Sequence, residues 1–137
     1  MSVKIYCDTC IYLDFLFDRK SISGNRNLGE EASYLFGRAV KCYYTIVFSD
    51  WILDELKKQV DISQYQMLSS MLEKKIEKVA YTKEDIDRAK QLCPGHFQDA
   101  LHMILAEKTN CEYLITQNLD DFILFSSKVQ PRKPTQI

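Results

Sequence analysis

Three carboxylates and one amide, in four separate segments of the chain, could together perform metal-dependent chemistry. They are Asp8, Glu55, Asp99 and Asn118. Carboxylates gathered in a partly buried cleft repel one another unless a cation lies among them. Oxygen ligands favour a hard ion such as Mg²⁺ or Mn²⁺. Because such an ion binds phosphate oxygens and lowers the pKa of a bound water, the chemistry indicated is phosphodiester hydrolysis.

The order of the elements decides whether these side chains can meet. Alternating apolar residues predict strands over 3–7, 43–48, 76–81 and 113–116, and a strand or tail over 130–137. Apolar residues at helical spacing predict helices over 9–17, 30–40, 50–60, 62–75, 82–92 and 97–108, and a short one within 118–125. This alternation predicts one α/β domain over residues 1–137, a three-layer α/β/α sandwich with a mainly parallel central sheet.

Ligands of such sheets bind outside the carboxyl ends of the strands. Asp8 follows the first strand and Asn118 follows the strand that ends at Thr116, so both lie at this edge. Glu55 lies about two turns into the helix that leaves the second strand. Asp99 lies in the first turn of its helix. The parallel strand that follows this helix is entered from the amino edge of the sheet, so the helix ends at the amino edge and begins at the carboxyl edge. The sequence therefore predicts that the carboxylates converge.

Each acid taken alone also has a simpler explanation. An Asp directly after a strand, or in the first turn of a helix, is often only a cap that contributes about 1 kcal/mol. For Asp121, which precedes Phe122, a cap is a better explanation than a metal ligand. The convergence of Asp8, Glu55 and Asp99 favours the site, but both explanations stay open at this stage.

Four segments resemble, in order, motifs of the PIN-domain family, which includes the VapC-like toxins of bacterial toxin–antitoxin pairs. The segments are 5–10 (IYCDTC), 49–56 (SDWILDEL), 99–106 (DALHMILA) and 114–122 (LITQNLDDF). The resemblance spans nearly the whole chain and implies a PIN-like fold. It further implies an endoribonuclease that depends on Mg²⁺ or Mn²⁺, is often a homodimer, and is held inactive by a cognate antitoxin.

The resemblance also implies roles for individual residues. The metal ligands would be Asp8, Glu55 and Asp99, and the fourth catalytic position falls on Asn118. Supporting positions fall on Thr9, whose hydroxyl would orient the ligand at Asp8 or a bound water, and on Asp121.

Two residues depart from the family pattern. Cys10 stands where Ser or Asn is more usual, and a thiol is a poor ligand for a hard ion. Asn118 is neutral, so the site carries three negative charges instead of four, which favours one metal over two. An alternative therefore stays open: a catalytically weak or inactive PIN-like module that binds RNA or a protein.

The same residues fit other chemistries less well. Cys7 and Cys10 form a CxxC after a strand, the placement of a redox pair, but Asp8 between them would raise the pKa of their thiols. Asp8 also stands where a haloacid-dehalogenase-like phosphatase has its nucleophilic Asp, which a second Asp follows two residues later. Here Cys10 takes the place of that second Asp, so the acid/base partner of such an enzyme is missing. The other cysteines are isolated, so a zinc site is disfavoured. For His102, three residues after Asp99, a partly buried, hydrogen-bonded role is favoured over that of a general base.

Composition excludes several classes of protein. The chain has 137 residues, 46% of them apolar, and a net charge of −1. These values exclude disordered, collagenous and coiled-coil proteins and argue against a uniformly basic DNA-coating protein. There is no apolar run of membrane-spanning length and no export signal, so we expect a cytoplasmic protein with reduced cysteines. RNA would then contact local basic groups, which are Arg19, Lys20, Arg26, Arg38, Lys41, Lys57, Lys58, Arg132 and Lys133.

Overall fold

The architecture was obtained as a computed structural model that describes residues 3–125 and 127–137. Five strands form one sheet: β1 (Val3–Cys7), β2 (Tyr44–Ser49), β3 (Ile76–Val79), β4 (Tyr113–Ile115) and β5 (Gln130–Arg132). The spatial order is β3-β2-β1-β4-β5, and all four neighbouring pairs are parallel. The predicted α/β fold, a parallel sheet flanked by helices, is confirmed and is consistent with a PIN-like sandwich.

Seven α-helices occur within the described ranges. They are α1 (Thr9–Phe17), α2 (Leu28–Val40), α3 (Asp50–Lys57), α4 (Ile62–Leu72), α5 (Lys83–Leu92), α6 (Phe97–Lys108) and α7 (Leu119–Phe122). Short 3₁₀ turns cover Glu73–Lys75 and Pro134–Gln136. The buried apolar residues form one core cluster. The predicted domain over 1–137 includes residues 1, 2 and 126, which lie outside the described residues.

Several helix boundaries follow from side-chain caps. Thr82 and Asp85 form the predicted capping box at the start of α5, and Asp61 and Gln64 form another at the start of α4. The helix predicted over 50–60 ends earlier, at Lys57, and the one predicted over 62–75 tightens to a 3₁₀ turn after Leu72. The capped starts of α3, α4 and α5 fall within one residue of the prediction, whereas the start of α2 lies two residues earlier, at Leu28, and the ends of α3 and α4 lie earlier than predicted.

The sheet has a topological switch point beside its central strand. The chain passes from β1 to β2 and β3 on one side and then returns to β4 on the other side of β1. Connections that leave two adjacent strands in opposite directions open a crevice at their carboxyl ends, where ligands of α/β proteins bind. Asp8 directly follows β1 and Thr116 directly follows β4. The switch point therefore places these two side chains at the mouth of the crevice.

Helix α6 is the most deeply buried helix beside this crevice. Seven consecutive residues, Ala100 to Ala106, are buried. An apolar surface on nearly every side is expected for a helix packed against the sheet and further helices. Nowhere in 3–125 or 127–137 is a helix both long and apolar enough to span a membrane.

Candidate active site

Asp8 is buried at the carboxyl end of β1, and only one of its two oxygens has a partner. Its residue exposure is 5%. Oδ2 accepts a hydrogen bond from Thr116 Oγ1 at 2.6 Å, whereas Oδ1 has no partner among the described residues. Asp8 occupies the N-cap position of α1, but its side chain makes no capping hydrogen bond. No cap in full hydrogen-bonding geometry satisfies this carboxylate, although the nearby Ile11 N–H helps to lower its pKa, and Oδ1 is open to a ligand.

The surroundings of Asp8 disfavour its charged form. Burial raises the pKa of Asp8 to about 6, although the hydrogen bond from Thr116 lowers it. The charge of His102 and the backbone N–H of Ile11 also lower this pKa, and the negative charge of Asp99, the smallest of these effects, raises it. Desolvation and a like charge are the two effects expected when carboxylates converge without a cation. Asp8 and Asp99, which are far apart in the sequence, are therefore close enough to influence each other.

Asp99 lies in the first turn of α6 and faces an open cleft. Burial raises the pKa of Asp99, and the charges of Asp121 and Glu55 add to this effect. The cleft has a volume of about 370 Å³ and is also lined by His96, Asp120 and Asp121. The predicted placement of Asp99 near the other acids thus corresponds to an electrostatic interaction in the structure.

Glu55, in α3, is held by two donors on the same oxygen. Its Oε1 accepts hydrogen bonds from Thr9 Oγ1 and, at 2.9 Å, from His102 Nε2. Burial alone would raise the pKa of Glu55, but these hydrogen bonds and the His102 charge outweigh it, so the pKa lies below its usual value. The Thr9 hydroxyl, expected near Asp8 or a bound water, is directed to Glu55. Unlike Asp8, Glu55 is therefore stabilised as an anion.

Asn118 and Asp121 contact the other acids only indirectly. The backbone N–H of Asn118 donates to Thr116 Oγ1 at 3.0 Å, so Thr116 connects this residue to Asp8. The side chain of Asn118 is exposed and makes no cap for α7. Asp121 is exposed, and its carboxylate accepts no hydrogen bond from the described residues, so the cap preferred for it is not present. Its interaction in the structure is the charge it exerts on Asp99.

The acids influence one another electrostatically, but within the described residues they form no metal cage. Within the described ranges, no three His, Cys, Asp or Glu side chains are placed so that they could hold one ion. The donor chemistry nonetheless fits Mg²⁺ or Mn²⁺, because Oδ1 of Asp8 lacks a partner and the neighbouring Asp99 is also an oxygen donor. Oε1 of Glu55 already accepts two hydrogen bonds. The three-ligand set of Asp8, Glu55 and Asp99 stays a prediction.

Sequence reasoning missed the partners that fix the acids. Thr116 was part of a motif but had no role of its own, although its position directly after β4 was a usable signal. Tyr6 was assigned no polar role, and its ring is fully buried, but its hydroxyl bonds to Ser49 and His102. The hydrogen-bonded role predicted for His102 is confirmed, and the residue is more deeply buried than the partial burial expected. Its contact with Glu55 joins α6 to α3 and had no signal in the local sequence.

The CxxC cysteines lack the environment of a reactive pair. Both Cys7 and Cys10 are free thiols. Burial raises the pKa of Cys7 far above its usual value, and burial together with the charges of Asp8 and Asp14 raises the pKa of Cys10 to about 12. A catalytic thiol needs the opposite shift. The structure therefore disfavours the redox alternative.

Comparison with known proteins identifies a similar fold. No family model matches the chain, and no curated protein matches it. Its structure is similar to a chain in the crystal structure of VapBC2 from Rickettsia felis bound to a DNA fragment from their promoter. The TM-score is 0.62 at 15% sequence identity, and the similarity covers 96% of this chain and 98% of that chain. At this identity the likeness concerns the fold, and it is consistent with the PIN-like α/β/α sandwich.

Proposed function

We propose that this protein is a metal-dependent endoribonuclease of the PIN type and the toxin of a toxin–antitoxin pair. The observation that supports this most is the buried, unpartnered Oδ1 of Asp8 at the switch point, beside the charge of Asp99. Two carboxylates in such a crevice destabilise the fold unless a cation offsets their charge. A bound divalent ion would offset this cost.

The residues of the chain would divide the work as follows. Asp8 and Asp99 would hold the ion, with Glu55 and Asn118 completing the site. A bound Mg²⁺ or Mn²⁺ supplies a water of lowered pKa and neutralises charge that develops on the phosphate. Thr116 fixes Asp8 through Oδ2, so that Oδ1 is the oxygen left to act.

Partners and substrate are proposed on the resemblance together with the surface of the molecule. RNA is the proposed substrate, and exposed Lys57 and Lys58 directly follow the helical turn of Glu55. Leu92 and Leu124 line the cleft of Asp99 while 55% and 85% exposed. Large exposed apolar side chains beside a site favour coverage by a protein, for which we propose a cognate antitoxin. We also propose a homodimer that acts in the cytoplasm.

Replacing either buried acid tests the activity. The variants Asp8→Asn and Asp99→Asn remove a carboxylate and nearly preserve its volume. We expect each to lower the rate of RNA cleavage in Mn²⁺ by about 100-fold or more, since an ion contributes several kcal/mol to transition-state stabilisation. Asp120→Asn is the matched control because Asp120 lines the same cleft without an assigned role. Circular dichroism checks that all three variants fold, and undiminished cleavage by both active-site variants would overturn the proposal.

A second function, a binding module without catalysis, is favoured by two observations. The described residues contain no three-ligand group, and Asn118 is neutral where the family can have Asp. Calorimetric titration with Mn²⁺ separates the two functions. Heat of binding that is lost in Asp8→Asn supports the nuclease, whereas no binding at millimolar Mn²⁺ supports the binding module.

A further inference from the structure

A chain of buried hydrogen bonds runs through the core and ends on Glu55. The backbone N–H of Ile52 donates to Ser49 Oγ at 3.1 Å, and Ser49 Oγ lies 2.8 Å from Tyr6 Oη. Tyr6 Oη lies 2.8 Å from His102 Nδ1, and His102 Nε2 lies 2.9 Å from Glu55 Oε1. The chain joins β1, the β2–α3 junction and α6, so it spans segments far apart in sequence.

The inner members of this chain are screened from water. Tyr6 and Ser49 are 0% exposed, and His102 is 3% exposed. Leaving a buried polar group without its hydrogen bond lowers the stability of the fold by about 1–3 kcal/mol, because water cannot replace the partner. Each donor and each acceptor of the chain must therefore be satisfied by another member.

Counting donors gives the chain one direction. The Glu55 carboxylate only accepts, so His102 Nε2 carries the proton that it donates. If the ring is neutral, Nδ1 then accepts from the Tyr6 hydroxyl. Tyr6 in turn accepts from the Ser49 hydroxyl, and Ser49 accepts from Ile52 N–H. Every hydroxyl and ring proton is used once, and the chain points from the start of α3 toward Glu55.

The ring of His102 is fixed on both sides. Its centroid lies 5.5 Å from that of Tyr6 at an angle of 58°, and each of its nitrogens has one partner. Thr9 supplies the second hydrogen bond to the same Oε1 of Glu55. No described residue donates to Oε2. A half-buried glutamate side chain with several rotatable bonds is thereby held by one oxygen while the other stays available.

We propose that His102 is a positioning residue, which holds Glu55 by Oε1 so that Glu55 acts on a bound group through Oε2. The inference rests on the proposed nuclease function and adds to it a role for a histidine outside the acidic set. Groups that orient the ligands of metal sites change metal affinity or activity by about 10- to 100-fold when replaced. His102 acts through Glu55 and itself touches neither ion nor substrate.

The tautomer of His102 gives a direct test. The protein contains two histidines, His96 and His102, so labelling with ¹⁵N-histidine gives two ring spin systems. The variant His96→Gln shows which of the two belongs to His102. At pH 8 we expect His102 to carry its proton on Nε2, with Nδ1 shifted as an acceptor. In Tyr6→Phe the Nδ1 signal should lose the shift caused by this hydrogen bond. A ring protonated on Nδ1 alone would overturn the proposal.

Two amide replacements separate positioning from packing. The longer Gln side chain can place an amide N–H near the position that Nε2 of His102 occupies, and so keep a donor to Glu55. The shorter Asn side chain reaches only the position of Nδ1, beside Tyr6. We expect His102→Gln to stay within about threefold of the wild type in Mn²⁺ affinity and RNA cleavage. His102→Asn should weaken both by about tenfold or more, although both variants lose stability. Equal Mn²⁺ affinity and cleavage in the two variants would show a structural role only.

The two proposals fail in different ways. A wild type that binds Mn²⁺ but cleaves no RNA overturns the nuclease, while the tautomer and the ratio of Mn²⁺ affinities still decide on His102. An active wild type with equally active Gln and Asn variants overturns the positioning role alone. Calorimetry and NMR thus provide readouts that do not depend on turnover.

Discussion

At the scale of single residues, two neighbouring acids are stabilised in opposite states. The pKa of Asp8 is raised to about 6, chiefly by burial, whereas hydrogen bonds from His102 and Thr9 hold the pKa of Glu55 below its usual value. The difference follows from donors, since Asp8 accepts from one side chain and Glu55 from two. Glu55 is thus stabilised in its charged form without a bound ion, whereas the charged form of Asp8 would be stabilised most by one.

The shifted pKa of Asp8 predicts how stability depends on pH without metal. Because the folded pKa of about 6 exceeds the ordinary value of 3.8, the folded state binds the proton more tightly. This stabilisation is fully present below about pH 4 and is lost as the pH rises through 6. A shift of about two units corresponds to about 3 kcal/mol. We therefore expect the unfolding free energy of Asp8→Asn, measured with urea, to fall less between pH 4 and 8 than that of the wild type.

A second buried acid provides the control for this experiment. Burial raises the pKa of Asp14 to about 6 as well, and Asp14 is 3% exposed. The titration of Asp14 also changes the unfolding free energy of the wild type between pH 4 and 8. Only the difference between the wild type and Asp8→Asn therefore reports on Asp8. Mn²⁺ at pH 7 should raise the stability of Asp14→Asn and leave Asp8→Asn unchanged. Identical pH profiles for Asp8→Asn and the wild type would contradict the assigned pKa.

At the scale of elements, the two glycines of α2 have opposite roles. A Cβ on Gly29 would lie 2.5 Å from Asp18 Oδ1 and 2.7 Å from Asp18 Cα, where the loop from α1 returns. A Cβ on Gly37 would meet nothing within 4 Å. Glycine in a helix costs roughly 0.5–1 kcal/mol relative to alanine, so only the first glycine is explained by packing. Gly29 is what allows α2 to begin against the end of α1.

This contrast predicts opposite changes in stability from one substitution type. Gly37→Ala should raise the free energy of unfolding by about 0.5–1 kcal/mol, because it reduces the entropy of the unfolded chain. Gly29→Ala should lower it by about 1–3 kcal/mol, since the clash involves backbone atoms that cannot move freely. Chemical denaturation of the two variants under the same conditions measures both. A stabilised Gly29→Ala would show that α1 and α2 tolerate a wider separation.

The elements were predictable from sequence to the extent that their signals are local. Strand β1 and helix α6 have the predicted bounds, because apolar periodicity and clear boundary residues define them. Strand β5, at the sheet edge and containing Pro131, was predicted only as a strand or tail because its three residues carry little pattern. The convergence of Asp8 and Asp99 followed from strand order, whereas the hydrogen bonds from Thr116 and His102 depend on side-chain packing between distant segments.

At the scale of the whole molecule, charge restricts how RNA can be bound. Eighteen Lys and Arg residues oppose nineteen Asp and Glu residues, so no uniform positive field attracts a polyanion. Several basic side chains are also engaged: Arg26 pairs with Glu31, and Lys4 pairs with Glu77. Binding must then depend on a few local cations near the acidic edge together with an ion in the crevice.

The near-neutral charge predicts a shallow salt dependence for RNA binding. If about three phosphates are neutralised, log K should fall with log salt with a slope of about −2 for a single strand. Fluorescence anisotropy with a nuclease-resistant RNA analogue allows the measurement while the acidic residues stay intact. Adding Lys57→Gln and Lys58→Gln should reduce the slope by about 0.7 for each lost phosphate contact. Lys128→Gln is the control, since Lys128 is exposed and precedes β5 at the opposite edge. A slope steeper than about −5 would instead mean that RNA covers a broad surface, and the acidic crevice would then not be the centre of recognition.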